Sequence, residues 1–237
     1  MSEIESLFSE LDKIENYPYL MVGMKKKIKG LAFFPGGRGL FDEYDNTISN
    51  KEVMILGQDF DTKQKYLAAL DKGYEDIDKN KTWNNLISFL NSCGIKLSDC
   101  FFTNCIMGAR LTSSATGVSP AWKDKKFIGS CRDFFLYQYE KQRPKIIIAM
   151  GLQVAKFLSV LSKEHLKSWR TIESFKQIDE FPDEVVKRNV KFDESDWRSN
   201  LVLLMHPSAR KYNLNNRKFR NNTQGNTAQI EMVKEVL

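Results

Sequence analysis

The sequence predicts a three-layer α/β/α fold built on a central four-stranded parallel sheet. Three observations predict it. Four short apolar runs recur along the chain, helical patterns separate them, and glycine or proline punctuates the junctions. Strands that alternate with helices imply a parallel sheet covered on both faces, joined by right-handed crossovers.

The runs are VMILG (53–57), CFFTN (100–104), KIIIAMG (145–151) and LVLLMH (201–206). After the first comes TKQKYLAALDKG (62–73), with Tyr66, Leu67 and Leu70 on one face and a stop at Gly73. TWNNLISFLNSCG (82–94) carries Trp83, Leu86, Ile87 and Leu90 at helical spacing. DKKFIGSCRDFFLYQYEKQ (124–142) is longer and meets Pro144. LQVAKFLSVLSKE (152–164) opens at Gly151. A further helix is expected over 3–14. The basic stretch KKKIKG (25–30) and the loop around PGGRG (35–39) follow it. That loop has neither the G-x-x-x-x-G-K-[ST] phosphate pattern nor a strand leading into G-x-G-x-x-G. Residues 163–198 are weakly periodic and read as an excursion inserted before the last strand. With no repeat and no low-complexity linker, residues 1–237 read as one domain.

The bulk numbers fit a soluble globule. Apolar residues make up 42% of the 237 and charged residues 28%. No run approaches the roughly 20 apolar residues of a membrane span. The N-terminus, MSEIESLFSELDKIE, lacks the basic start and apolar core of a secretion signal. A cytoplasmic, monomeric protein is the expectation. The net charge of +6 suggests a polyanionic partner without requiring one. The cysteines, Cys93, Cys100, Cys105 and Cys131, include no C-x-x-C pair and read as buried reduced thiols. With two histidines besides, no metal site and no cofactor is expected.

A parallel sheet gathers the ends of its strands along one edge, where open α/β folds bind ligands. Here that edge collects Gly57-Gln58-Asp59-Phe60, Thr103-Asn104, Gly151 and His206-Pro207-Ser208. An acid, a carboxamide and a histidine thus converge. Each has a plainer reading: Asp59 can cap the following helix, Asn104 can sit in a turn, and His206 can be structural.

These residues carry a resemblance. ILGQDFD (55–61), FFTNCI (101–106), IIIAMGLQVAKFL (146–158) and LLMHPSAR (203–210) together resemble the uracil-DNA glycosylase superfamily, in the same order over roughly residues 50–215. The resemblance implies roles. Asp59 would orient the attacking water and stabilise positive charge on the deoxyribose. His206 would donate to the base oxygen as the pyrimidine leaves as an anion. Asn104 would read the pyrimidine edge, and Gln58 would line the pocket. Ser208 and Arg210 would belong to the loop that enters the duplex, Arg210 as wedge or as phosphate contact. The implied enzyme is a monofunctional glycosylase that leaves an abasic site, with no iron–sulfur cluster, because no cysteine lies near the N-terminus.

The chain departs from the pattern after Asp59. Phe60 and Asp61 replace the proline and tyrosine of the best-known members, where the tyrosine excludes a C5 methyl group. Asp61 is therefore expected at a gate that tolerates a polar C5 substituent, as in hydroxymethylated or glycosylated cytosine of phage DNA. Tyr74 or Phe60 would stack on the flipped base. From Ser199 to Ile230 no acidic residue occurs, whereas Arg210, Lys211, Arg217, Lys218 and Arg220 do. That stretch is expected to track the phosphates of single- or double-stranded DNA. Two other readings stand beside the glycosylase. One is a non-catalytic nucleic-acid-binding module on the same fold. The other is an α/β enzyme acting on free nucleotides or nucleosides.

Overall fold

The computed structural model describes residues 3–24, 51–72, 80–209 and 214–237. The basic stretch 25–30, the PGGRG loop, Gly73, Tyr74, Arg210 and Lys211 lie outside the described residues. An α/β core is present, with a mixed six-stranded sheet. Its strands are β1 (Met21–Val22), β2 (Val53–Thr62), β3 (Cys100–Arg110), β4 (Ile146–Met150), β5 (Val186–Lys191) and β6 (Arg198–Leu204). They lie in the order β1-β3-β2-β4-β6-β5. The four expected strands form the parallel centre, β3-β2-β4-β6. The unexpected β1 and β5 pair antiparallel along its two edges.

Burial explains which strands were legible. Every residue of β3 and β4 is buried, so both read as continuous apolar runs. Strand β5 (VKRNVK) buries Val186 and Val190 and exposes Arg188 and Asn189. Charged side chains on an edge strand discourage pairing with another chain, and they also hide the strand from a search for apolar runs. It belongs to the 163–198 stretch, which also contains the short helices α6 (Lys167–Arg170), α7 (Phe175–Asp179) and α8 (Pro182–Val185).

Five of the longer helices fall where the periodicity puts them. They are α1 (Glu3–Asp12), α2 (Lys63–Lys72), α3 (Lys81–Ser92), α4 (Lys125–Gln142) and α5 (Leu152–Leu161). Asn80 caps α3 by accepting from the Thr82 N–H, and Asp124 caps α4 by accepting from the Phe127 N–H. Gly151 opens α5 at φ 104°, a conformation that glycine adopts without steric cost. Beyond β6, a two-stranded ribbon of β7 (Lys218–Phe219) and β8 (Thr223–Gln224) leads into α9 (Gly225–Lys234). Ala228, Met232 and Val233 of α9 join one apolar cluster that runs from Ile4 to Val236. No helix among the described residues is long and apolar enough to cross a membrane.

From β2 the chain passes to β3 on one side, then crosses to β4 on the other. Such a reversal is a topological switch point, where crevices form at the C-terminal edge of open sheets. Pairing of β2 with β4 stops at Leu56↔Ala149, whereas β2 stays paired with β3 as far as Thr62↔Arg110. The strand thus runs five residues past the expected end at Gly57. What ends near Gly57 is its pairing with β4, and the two strands part there.

Candidate active site at the diverging strands

Gln58 and Asp59 lie on the length of β2 that has lost its β4 partner. Asp59 pairs in register with Ile106, and the register shifts immediately after it. A bulge of this kind re-aims side chains beside functional clefts. The helix-cap reading of Asp59 does not hold. At the entry to α2, Asp61 accepts from the Thr62 N–H at 2.7 Å and Thr62 Oγ1 accepts from the Lys65 N–H at 3.4 Å. Asp59 faces Arg110 instead.

That pair is buried, with side-chain exposures of 3% for Arg110 and 5% for Asp59. Arg110 Nε donates to Asp59 Oδ2 at 2.6 Å, and Nη2 donates to Oδ1 at 3.2 Å. Burial raises the Asp59 pKa above the ordinary carboxylate value. The hydrogen bonds and charge of Arg110 and a hydrogen bond from Ser119 oppose that rise. Sequence reading missed Arg110 because it ended β3 at Asn104. The available signal was an arginine closing an otherwise apolar continuation, Cys105-Ile106-Met107-Gly108-Ala109.

Gln58 turns toward the loop that follows β3. Its Nε2 donates to Gly117 O at 3.0 Å, and its Oε1 accepts from Trp122 Nε1 at 3.2 Å and the Ser119 N–H at 3.4 Å. Asn104 stands beside Gly57 in the β2–β3 register and is 2% exposed. Phe60 is packed into the apolar core. The carboxylate of Asp61, expected at the gate for the C5 substituent, is engaged locally by Lys65 Nζ as well as by the Thr62 N–H. It therefore belongs to the first turn of α2 in this conformation. Tyr74 is outside the described residues.

His206 follows β6, on the far side of β4. Its Nδ1 lies 2.7 Å from Ser208 Oγ and accepts from the Ser208 N–H at 3.3 Å. A backbone N–H can only donate, so Nδ1 is unprotonated and the ring proton sits on Nε2. Burial pushes the His206 pKa down to about 4, so the ring is neutral near pH 7. The loop that carries it is held from two sides. Asn85 Nδ2 of α3 donates to Pro207 O at 3.3 Å, and Gln229 Oε1 of α9 accepts from the Met205 N–H at 2.8 Å.

The basic residues after His206 separate into different fates. Arg217 is wholly buried and ion-paired with Asp179 at 2.9 Å, which removes it from any DNA-facing surface. Arg220 forks onto Glu235 at 2.9 and 3.0 Å and also meets Asp183. The acid-free stretch thus takes its acids from elsewhere in the fold, Asp179 and Asp183 before it and Glu235 after it. Lys218 and Ser208 are exposed. Arg210 and Lys211 lie outside the described residues. The four cysteines are buried and unbridged, and burial pushes Cys100 and Cys131 up to about 12. Among the described residues no cluster of His, Cys, Asp and Glu could hold a metal.

Residues 45–225 match the family model described as the uracil DNA glycosylase superfamily. The chain belongs to that superfamily. No curated protein matches the sequence. The family match encloses β2 through β8, and with them Gln58, Asp59, Asn104, Arg110 and His206. Superfamily members act on DNA and are generally glycosylase hydrolases, so membership points to DNA glycosylase-type chemistry.

Proposed function

We propose that this chain is a monofunctional DNA glycosylase that flips a pyrimidine out of DNA and hydrolyses its N-glycosidic bond. One observation carries the reading. A buried carboxylate at the switch point and a neutral histidine with its proton on Nε2 serve the same edge of the sheet.

The chemistry follows from charge. Breaking the glycosidic bond leaves its electron pair on the base and positive charge on the sugar. Asp59 stabilises the sugar cation, and the Nε2–H of His206 donates to the base oxygen that gathers negative charge. Water then adds to C1′ and gives its proton to Asp59. The products are the free base and an abasic site. Asn104 reads the base edge and Gln58 lines the pocket. The target atom is inaccessible within a duplex, so flipping it out costs a few kcal/mol. The substrate is uracil or a C5-modified cytosine; the absence of the tyrosine gate after Asp59 supports the larger base, and such a base would suit a role against modified phage DNA.

A second reading draws on a specific feature. The Asp59–Arg110 ion pair is what a structural brace would look like, and it would leave a non-catalytic DNA-binding module. Base release separates the two. Oligonucleotides carrying uracil, and phage DNA carrying hydroxymethylated or glucosylated cytosine, are incubated with the protein and cleaved with alkali at abasic sites. The glycosylase reading expects abasic sites with the wild type, and none with Asp59→Asn at unchanged DNA affinity. No abasic sites on any of these DNAs would favour the binding module.

A further inference from the structure

We infer that Arg110 is a positioning residue for Asp59, locking the carboxylate and the 111–119 loop into one rigid network at the mouth of the crevice. The inference rests on the glycosylase reading above and assigns a residue that reading does not use.

The network is dense. Besides its two bonds to Asp59, Arg110 donates from Nη1 to Thr116 O at 2.9 Å and from Nη2 to Gly117 O at 3.0 Å. Gly117 O also accepts from Gln58 Nε2 at 3.0 Å, so one carbonyl joins the residue before Asp59 to the arginine that holds it. Gly117 presents that carbonyl from a left-handed turn, φ +77°. Ser119 closes the ring, its N–H on Gln58 Oε1 and its side chain favouring the ionised Asp59 carboxylate. Arg110 thus joins Asp59 to the loop directly, and Gln58 enters the same network through the Gly117 carbonyl.

A guanidinium suits this task and an ammonium does not. Its planar fork grips both carboxylate oxygens while its remaining N–H groups reach two carbonyls; lysine can restore the charge but not the fork. The carboxylate can still accept from a water, because each oxygen accepts more than one hydrogen bond. The fork also opposes desolvation. Among the described residues, the charged or titratable groups that bear on Asp59 are Arg110 and Cys105 from β3 and Asp61 on its own strand, and of these only Arg110 favours the carboxylate. Without it the carboxyl holds its proton to higher pH, and a protonated acid cannot stabilise a sugar cation.

The test uses the full chain with Arg110→Gln and Arg110→Lys, and three readouts. These are titration of the Asp59 carboxyl by carbon-13 NMR (assigned with Asp59→Asn), single-turnover base release across pH, and DNA affinity. In Arg110→Gln the Asp59 titration moves to higher pH, and the acid limb of the rate profile moves with it. The neutral-pH rate falls about a hundredfold, the scale of a 1 Å misplacement, while DNA affinity holds. Arg110→Lys recovers the titration and only part of the rate. Should Arg110→Gln not fold, Gly117→Ala keeps the ion pair and strains the shared carbonyl, and a smaller loss of rate in the same direction is expected. An unmoved titration, an unchanged rate in Arg110→Gln, or full rescue by lysine overturns the inference. If the wild type releases no base, the glycosylase reading fails, and with it the catalytic task assigned to Arg110; the titration still decides whether Arg110 holds Asp59 ionised.

Discussion

Two buried aspartate–arginine pairs stand among the described residues, and they invite comparison. Asp59–Arg110 lies where β2 and β4 part, with a closest approach of 2.6 Å. Asp179–Arg217 lies between the sheet and the C-terminal segment, with a closest approach of 2.9 Å. Both are nearly sealed from solvent. They differ in what surrounds them. Arg217 also donates to Leu203 O and to Gln229 Oε1, stacks over Phe175 with its carbon 4.4 Å from the ring centre, and thereby ties α7, β6 and α9 together. Asp179 further accepts from the Lys218 N–H. Every neighbour there is a packed element. Arg110 instead gathers a loop and a strand that has lost one of its partners. Ion pairing and burial are common to both, so neither marks a site; the surroundings do.

The comparison breaks most visibly at Asp179–Arg217. Removing one partner of a buried pair leaves an uncompensated charge and costs about 3–5 kcal/mol. Arg217→Met is expected to lower stability by that order in a urea melt, with base release per folded molecule unchanged. A lost rate at full stability would mean that this pair serves the site after all.

Asp59→Asn is expected to lose rate as well as stability. The amide oxygen still accepts from Arg110, but the buried guanidinium is left without its counter-charge, and the charge proposed to meet the sugar cation is gone. The single-turnover rate is expected to fall about a thousandfold, the upper scale for one electrostatic group in an active site. A melting curve displaced as far as that of Arg217→Met, with turnover retained, would make the two pairs equivalent braces.

His206 sharpens the contrast through pH. Its pKa is pushed down to about 4, so the neutral form persists in the folded protein at pH values where an unfolded histidine, near 6.5, takes up a proton. Stability is therefore undiminished above about 6.5 and falls as pH drops toward 4, because the unfolded chain binds the proton first. The His206 imidazole resonances should show no titration between pH 5.5 and 8, and His206→Ala should lose roughly a hundredfold in rate. A midpoint near 6.5 would remove the case for a neutral donor.

Much of this was legible in the sequence where residues act through their own segment. The four central strands are buried on both faces, so their apolar runs announce them. Gly57-Gln58-Asp59 and His206-Pro207-Ser208 sit at the ends of such runs, so the sheet edge that gathers them could be read from the sequence. Pairings between segments were not legible. Nothing local tells that Arg110 reaches Asp59, or that Arg217 turns inward to Asp179. The edge strands β1 and β5 are short or charged, and α9 has too little apolar contrast to stand out from a solvated tail. An acid-free stretch looked like a phosphate track because its acids come from Asp179, Asp183 and Glu235.

The smallest expected effect tests that last point. Lys218 is exposed, whereas Arg220 is committed to Glu235 and Asp183. If charge already spent on the protein's own acids is unavailable to phosphate, the two substitutions differ in the salt dependence of DNA binding. Lys218→Ala should lower the slope of log affinity against log salt by about one, as loss of a single phosphate contact does. Arg220→Ala should leave the slope where it is. An equal drop for both would mean that DNA draws Arg220 away from its acids, and that the sequence pattern, not the unbound ion pairs, describes the DNA-facing surface.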